Sequence, residues 1–408
     1  MKQRVIASGW GQCSPLAADV PTLIEAIAAG RCVTSAPWFD NDDDWQNLRL
    51  GNNPHTARAA RADAAPWQQL QPVIDEALTM AGLPASALQG PRVRVFLAGN
   101  GMRPNIADFA GYQDRNDAED LLFFPAIKQL HADSYAQDAL ARRFVETYRL
   151  DWPPTSVYSA SNSSLTALHL AQAGIAAGQT DVALVAGWLK IVLQDVVFMG
   201  GQDMLGNGQS QPFNNQDNSV LLADGAVALV IESEEHARRR GVTPAIAISS
   251  SVCRQSSGGR GGAFTADFRT IAQTIDGALQ AAGLTPQDIA CALPHANGTV
   301  AGDKAEAMAL QKVWGRNGIP VVSYKGQAGY VATCSGVLDF MLAADALLQR
   351  RLLAATGRHP VDAALAIHVH MDAPPLPLRT PHLLKSGIGL DGSVIAMVLS
   401  DCREGIDE

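Results

Sequence analysis

The sequence predicts an α/β protein assembled from two copies of one helix–strand unit. Three observations carry this. Ile74 to Leu83 reads I-D-E-A-L-T-M-A-G-L and Ile275 to Leu284 reads I-D-G-A-L-Q-A-A-G-L, so seven of ten positions match at an offset of 201, about half of the 408 residues. Each copy has apolar residues at helical spacing and ends at a glycine. Each is followed by a strand-like run, Val93 to Leu97 before A-G-N-G and Ile289 to Leu293 before H-A-N-G. A helix, a strand and a glycine-ended loop, repeated at half-chain spacing, are most simply explained by a duplicated domain. Composition agrees: 47% apolar and 17% charged residues suffice for a sizeable core.

The remaining elements follow in order. Val182 to Ala186 is a continuous apolar run suited to a buried parallel strand, and Ala226 to Ile231 is a second. A charged helix, Ser233 to Arg240, comes next, then a strand around Ala245 to Ser251. Val394 to Leu399 supplies a strand near the C-terminus. The expected halves are residues 1–235 and 236–408, with a parallel-rich sheet in each. Residues 38–66, with the acidic run Asp40 to Asp44, and 101–150, with Phe109, Phe123 and Phe124, read as insertions, the second as a cap over an interface.

With 31 basic against 40 acidic residues, nothing in the total charge favours nucleic acid. The six cysteines include no C-x-x-C pair, which predicts reduced, buried thiols in a cytoplasmic protein. The N-terminus lacks an apolar segment of secretory length, and the most apolar stretch, Val182 to Leu193, is interrupted by Lys190 and too short for a bilayer. His368 and His370 alternate on one strand face, but no third metal ligand accompanies them.

Four segments could carry chemistry. Ser159-Ala160-Ser161-Asn162-Ser163-Ser164 is a small-residue turn between a short strand and an amphipathic helix, Leu165 to Ala177. Such a turn points backbone N–H groups and a positive dipole end outward, a good setting for a nucleophile, although a plain serine N-cap is the better explanation of this segment by itself. His295 ends an apolar strand and opens His295-Ala296-Asn297-Gly298-Thr299-Val300-Ala301-Gly302-Asp303. Lys325-Gly326-Gln327-Ala328-Gly329-Tyr330 precedes a run of small residues. Ser386-Gly387-Ile388-Gly389-Leu390-Asp391-Gly392-Ser393 has dinucleotide-loop spacing, but lies before the last strand and not between a first strand and its helix.

Together these segments resemble the β-ketoacyl synthase family of the thiolase superfamily. That family's H-G-T-x-T-x-x-G-D motif falls without gaps on His295 to Asp303. Its P-F-D…L-G-D-G-A-G stretch is similar to Pro212-Phe213-Asn214 and Leu222 to Ala226. Its C-terminal G-F-G-G-T-N loop is similar, one residue shorter, to Gly387 to Asp391. The resemblance implies a thiolase-like duplicated αβαβα layered fold. It also implies site residues Ser161, His295, Tyr330 and Lys325, a substrate pocket touched by Thr299, Ser386 and Ile388, and neither metal nor cofactor.

The departures from the family pattern matter more. Ser161 stands at the position of the family's cysteine, and Tyr330 at that of its second histidine. Condensation in this family needs a thiolate, whereas a serine hydroxyl needs an adjacent general base. Losing one oxyanion donor typically costs about 10²–10³ in rate. The resemblance therefore implies one of two roles. The first is a partner like a chain-length factor, paired with an active ketosynthase. The second is a serine acyltransferase or hydrolase using Ser161 and His295 on acyl carrier protein thioesters. Residual ketosynthase or decarboxylase activity is a third possibility. Implied partners are a second subunit, as homodimer or heterodimer, joined through the strand near residues 155–160, and an acidic acyl carrier protein. The candidate basic docking residues are Arg142, Arg143 and Arg238 to Arg240. Neither nucleic acid nor membrane is expected as a partner.

Overall fold

The computed structural model of the chain describes residues 3–59, 65–99, 137–214, 216–256 and 267–403. Eleven strands form one continuous sheet: β1 (Val5–Cys13), β2 (Val93–Ala98), β3 (Thr155–Val157), β4 (Val182–Leu189), β5 (Gly225–Ser233), β6 (Ile246–Gln255), β7 (Ile289–Leu293), β8 (Pro320–Val321), β9 (His368–Val369), β10 (His382–Ile388) and β11 (Ser393–Asp401). Their spatial order is β9-β8-β7-β10-β11-β6-β1-β5-β4-β2-β3. The order is symmetric about the middle. β3-β2-β4-β5-β1 on one side corresponds to β8-β7-β10-β11-β6 on the other, and β9 is an extra edge. Only two residue pairs, Ile6 with Ala247 and Ala7 with Ile246, join β1 to β6.

The strands are parallel in the outer part of each half and antiparallel in the inner part. β2 runs parallel to β3 and β4, and β7 parallel to β8 and β10, whereas β5 is antiparallel to both β1 and β4. The expectation of a parallel strand at Ala226 to Ile231 is therefore corrected. That strand is continuously apolar because both faces are covered: all nine residues of β5 are buried. Coverage, not direction, sets that pattern.

Besides the helices Val20–Ala28, Asp42–Asn47 and Lys325–Ala328, the described α-helices are α1 (Pro66–Ala81), α2 (Gln137–Tyr148), α3 (Ser163–Ala176), α4 (Leu193–Gly201), α5 (Glu234–Arg239), α6 (Phe268–Ala282), α7 (Val300–Trp314) and α8 (Ser335–Leu348). The sequence repeat is α1 and α6. Each ends on a left-handed glycine, Gly82 at φ 64° and Gly283 at φ 71°, and each leads through a 3-10 turn into a parallel strand, β2 or β7. Each lies on an outer face, α1 against β1 and β5, and α6 against β6 and β11. The approach of α1 is close: a Cβ on Gly9 of β1 would stand 2.2 Å from the Ala77 carbonyl oxygen.

Between the two sheet halves run α3 and α8, which contact each other and strands of both halves. The layers are thus outer helix, sheet, central helices, sheet, outer helix. Twelve of the fourteen residues of α8 are buried, so its sequence is apolar almost all round, as a helix covered on every side requires. Central packing leaves little slack: a Cβ on Gly336 would fall 2.2 Å from Leu165 Cγ.

Other expectations resolve locally. Cys291, Cys334 and Cys402 are buried, but Cys13 and Cys32 are half-buried and Cys253 is exposed; all six are free thiols. His368 is exposed and His370 buried, so the two do not share an environment, and among the described residues no group of three or more His, Cys, Asp or Glu could hold a metal. Among the described residues no helix is long and apolar enough to cross a membrane. Phe109, Phe123 and Phe124, expected to cap an interface, lie outside the described residues.

Candidate functional site

Two sharp turns open onto one cavity. Before α3, Ala160 takes φ 43° and starts a 3-10 turn, Ala160–Asn162; before α8, Ala332 takes φ 32° and starts another, Ala332–Cys334. Positive φ is uncommon outside glycine, and it reverses the chain abruptly enough to lift the next residue out of the turn. Those next residues are Ser161 and Thr333. Both line a cavity of about 270 Å³, together with His295, Asn297, Thr299 and Tyr330. The apolar part of its wall includes Leu189, Phe198, Met199, Met204 and Ile388.

Tyr330 is the hub. Its hydroxyl donates to Ser161 Oγ at 2.5 Å and stands 3.5 Å from His295 Nε2, and the two rings meet edge to face at 5.6 Å. Burial pushes the Tyr330 phenol up to about 12, although its contacts with Ser161 and Asn297 oppose this. It therefore stays protonated at neutral pH and acts as a donor. No hydrogen bond links Ser161 to His295 directly. The contact that a Ser161–His295 dyad requires is replaced by the phenol between them.

A buried charge cluster backs His295. Burial, and then the positive charges of Lys325 and Lys385, hold its imidazole well below the usual histidine range, so it is neutral. The backbone N–H groups of His295 and Ala296 donate to the two Glu306 oxygens at 2.7 and 2.6 Å, fixing the loop. Asp303 accepts from the Phe213 N–H at 2.7 Å, and burial raises its carboxyl to about 7. Lys325 Nζ donates to Asp339 Oδ2 at 2.6 Å, and Lys385 Nζ reaches the same oxygen at 2.8 Å. Lys385 also donates to the carbonyls of Pro294 and Ser386, and burial lowers it to about 8.

The cavity thus gathers Ser161, His295, Tyr330, Thr299 and Ile388 from the residues that the sequence singled out. Lys325 and Ser386 are buried behind the wall and do not line it. Sequence reasoning did not single out Lys385, Asp339, Thr333 or the pin beneath Ser161. In that pin, Asp391 accepts from Ser159 Oγ at 2.8 Å and from Ser393 Oγ at 2.7 Å, while Asn162 Nδ2 donates to Ser393 O at 3.0 Å. A signal for the first two was present. Lys385 and Asp339 are lone charges inside apolar runs, L-L-K-S and V-L-D-F-M, and such a charge needs a buried partner.

The expected basic docking residues on α5 are corrected. Arg238 pairs with Glu234 at 2.8 Å, Arg239 with Glu235 at 3.3 Å, and Arg240 with the buried Glu232 at 2.5 Å. They form neutralised pairs, not a patch. Arg142 and Arg143 are exposed on α2.

The layered duplicated fold and the cavity at its central helix turns define a thiolase-like, ketosynthase-type protein. The family model for the β-ketoacyl synthase N-terminal domain matches residues 2–237, and that for the C-terminal domain matches residues 247–357. The chain belongs to the β-ketoacyl synthase family. It is 25% identical to "Putative polyketide beta-ketoacyl synthase 1" of Streptomyces cyaneus over 98% of each chain. It is also 26% identical to polyketide synthase GfsA of Streptomyces halstedii over 73% of this chain, although it spans only 4% of that much longer protein. Among solved structures, the ishigamide ketosynthase/chain length factor superposes with a TM-score of 0.84 at 19% identity, covering 98% of this chain and 99% of that one. A chain of AntDE:AntF, a type II polyketide synthase acyl-carrier protein in complex with its ketosynthase, superposes with a TM-score of 0.82 at 19% identity, covering 98% of this chain and 100% of that one.

Proposed function

We propose that this chain is a cytoplasmic, ketosynthase-like subunit of a type II polyketide or fatty acid system. In this reading it does not condense. It pairs with an active β-ketoacyl synthase and shapes the acyl cavity, as a chain-length factor does. The carrying observation is the Tyr330–Ser161 hydrogen bond. The phenol proton is spent on the serine oxygen, and among the described residues no group placed to take the serine proton contacts it. A serine nucleophile without a base is inert, and burial keeps the phenol too weak an acid to take the place of a thiolate. The likeness to a ketosynthase/chain length factor supports the reading. So does β3, which is the edge strand among the described residues and is followed by Tyr158 at 51% exposure, where a second subunit would add a strand.

The test is co-expression with the ketosynthase of the same system. Ser161→Ala should leave product length and yield within about twofold, because no covalent step passes through that hydroxyl. Mass spectrometry should find no acyl ester on Ser161 after incubation with acyl carrier protein thioesters. An acylated Ser161 that disappears in His295→Ala would replace this reading with the serine acyltransferase.

A further inference from the structure

We propose that the outward face of α7 is the docking surface for an acidic helix of the carrier protein that serves the cavity. This rests on the subunit reading above and adds where that partner lands. Ala301, Lys304, Met308 and Lys312 follow one another at spacings of three, four and four, which places them in one line on a helix. All four are exposed, Met308 at 41%, and Arg316 is exposed just beyond the helix end. The helix's two acids face the other way: Asp303 and Glu306 are 2% and 1% exposed and spend their carboxylates on backbone amides. Among the described residues, Lys304, Lys312 and Arg316 make no ion pair. This is the reverse of α5, where every arginine is matched to a glutamate.

Three cations that make no ion pair among the described residues, set around an exposed methionine, are a local reversal of sign on a chain whose net charge is −9. An acidic amphipathic helix complements this surface, with charge pairs at both ends of one apolar contact. A basic stripe alone fits any polyanion; its position selects the partner. Ala301 and Gly302 line the cavity along with Thr299 and Asn297, and Ala301 is also exposed, so the stripe begins at the cavity rim. From there the helix runs about 22 Å at 1.5 Å per residue. A carrier helix along it would bring a tethered acyl arm to the rim beside Ala301, within reach of the cavity.

The probe is a fluorescently labelled type II acyl carrier protein in its apo form, titrated by anisotropy against the chain in complex with its ketosynthase. Binding should weaken about tenfold or more between about 50 and about 300 mM salt. Lys304→Glu with Lys312→Glu should cost about tenfold or more at low salt, and Met308→Ala about threefold. Arg238→Glu with Arg239→Glu should change affinity less than about twofold, because those charges are already paired. Carrier affinity left within about twofold by the lysine reversal would overturn the proposal. So would the absence of carrier binding, or a DNA duplex that competes as well as the carrier protein does. Native mass spectrometry reports pairing with the ketosynthase separately. If that pairing fails while carrier binding depends on the stripe, the subunit reading falls and the docking surface stands.

Discussion

The turn before α3 and the turn before α8 are the same device used twice. Each has an alanine at positive φ, a 3-10 turn and a central helix, and each aims the residue after the alanine at the cavity. Their surroundings differ. The first turn is pinned by polar groups, with Ser159, Asn162, Ser393 and Asp391 hydrogen-bonded beneath Ser161. The second is packed into the apolar core, with Cys334 fully buried and burial pushing its thiol up to about 12. Ser161 is half-exposed while Thr333 is 1% exposed. The comparison teaches that duplication delivers the turn, and that its neighbours then decide whether the side chain is presented or stored. A thiol in the second turn is inert for want of water and positive charge.

Breaking the packed turn should have the largest effect. Gly336→Ala puts a methyl against Leu165, which should cost about 1–3 kcal/mol of stability in urea denaturation. At the matching place in the first turn, Ser164 already carries a side chain, and its hydroxyl accepts the Val337 N–H at 3.3 Å. Ser164→Ala should therefore cost less, about 1 kcal/mol.

Breaking the polar pin comes next. Asp391→Ala removes the acceptor for Ser159 and Ser393 and should cost about 1–3 kcal/mol. It should also speed hydrogen exchange in residues 159–163 while leaving 331–335 unchanged. Equal loosening of both turns would show that the pin is not local.

The comparison is sharpened by changing chemistry in the first turn only. Ser161→Cys with Tyr330→His should yield a thiol that is acylated by carrier protein thioesters, measured by intact mass. Ser161→Cys alone should acylate more slowly, because the phenol still donates to the sulfur but accepts no proton from it. The same Cys introduced as Thr333→Cys should remain unacylated, being buried.

The smallest effect concerns pH. Lys385 titrates near 8 in the folded chain against about 10.4 when unfolded. Between those values the unfolded state binds more protons, so this group makes stability rise with pH through that window. Lys385→Met should flatten that rise in urea midpoints measured from pH 7 to 10. An unchanged slope would show that Lys385 keeps its proton, held by Asp339.

Much of this was legible in the chain. The helix repeat at 74–83 and 275–284 located equivalent outer helices, because glycine-stopped amphipathic helices leave a local signature that survives duplication. Ser161, His295 and Tyr330 were legible as a set because motif spacing is preserved even where the residue type has changed. Strand direction was not legible, because a strand covered on both faces is apolar whichever way it runs. Nor was the fate of Arg238 to Arg240: a run of arginines looks basic until Glu234 and Glu235, one turn earlier, and Glu232 on β5, eight residues before Arg240, pair with it.

The sequence by itself determined the duplicated α/β architecture, the elements and the family of the site, since these rest on local periodicity and motif spacing. Only the tertiary structure decided that Tyr330 stands between Ser161 and His295, and that two lysines from distant segments share Asp339 behind the cavity wall. The reason is physical. Periodicity and spacing act within one segment, whereas a hydrogen bond across 169 residues exists only once the sheets and central helices have packed.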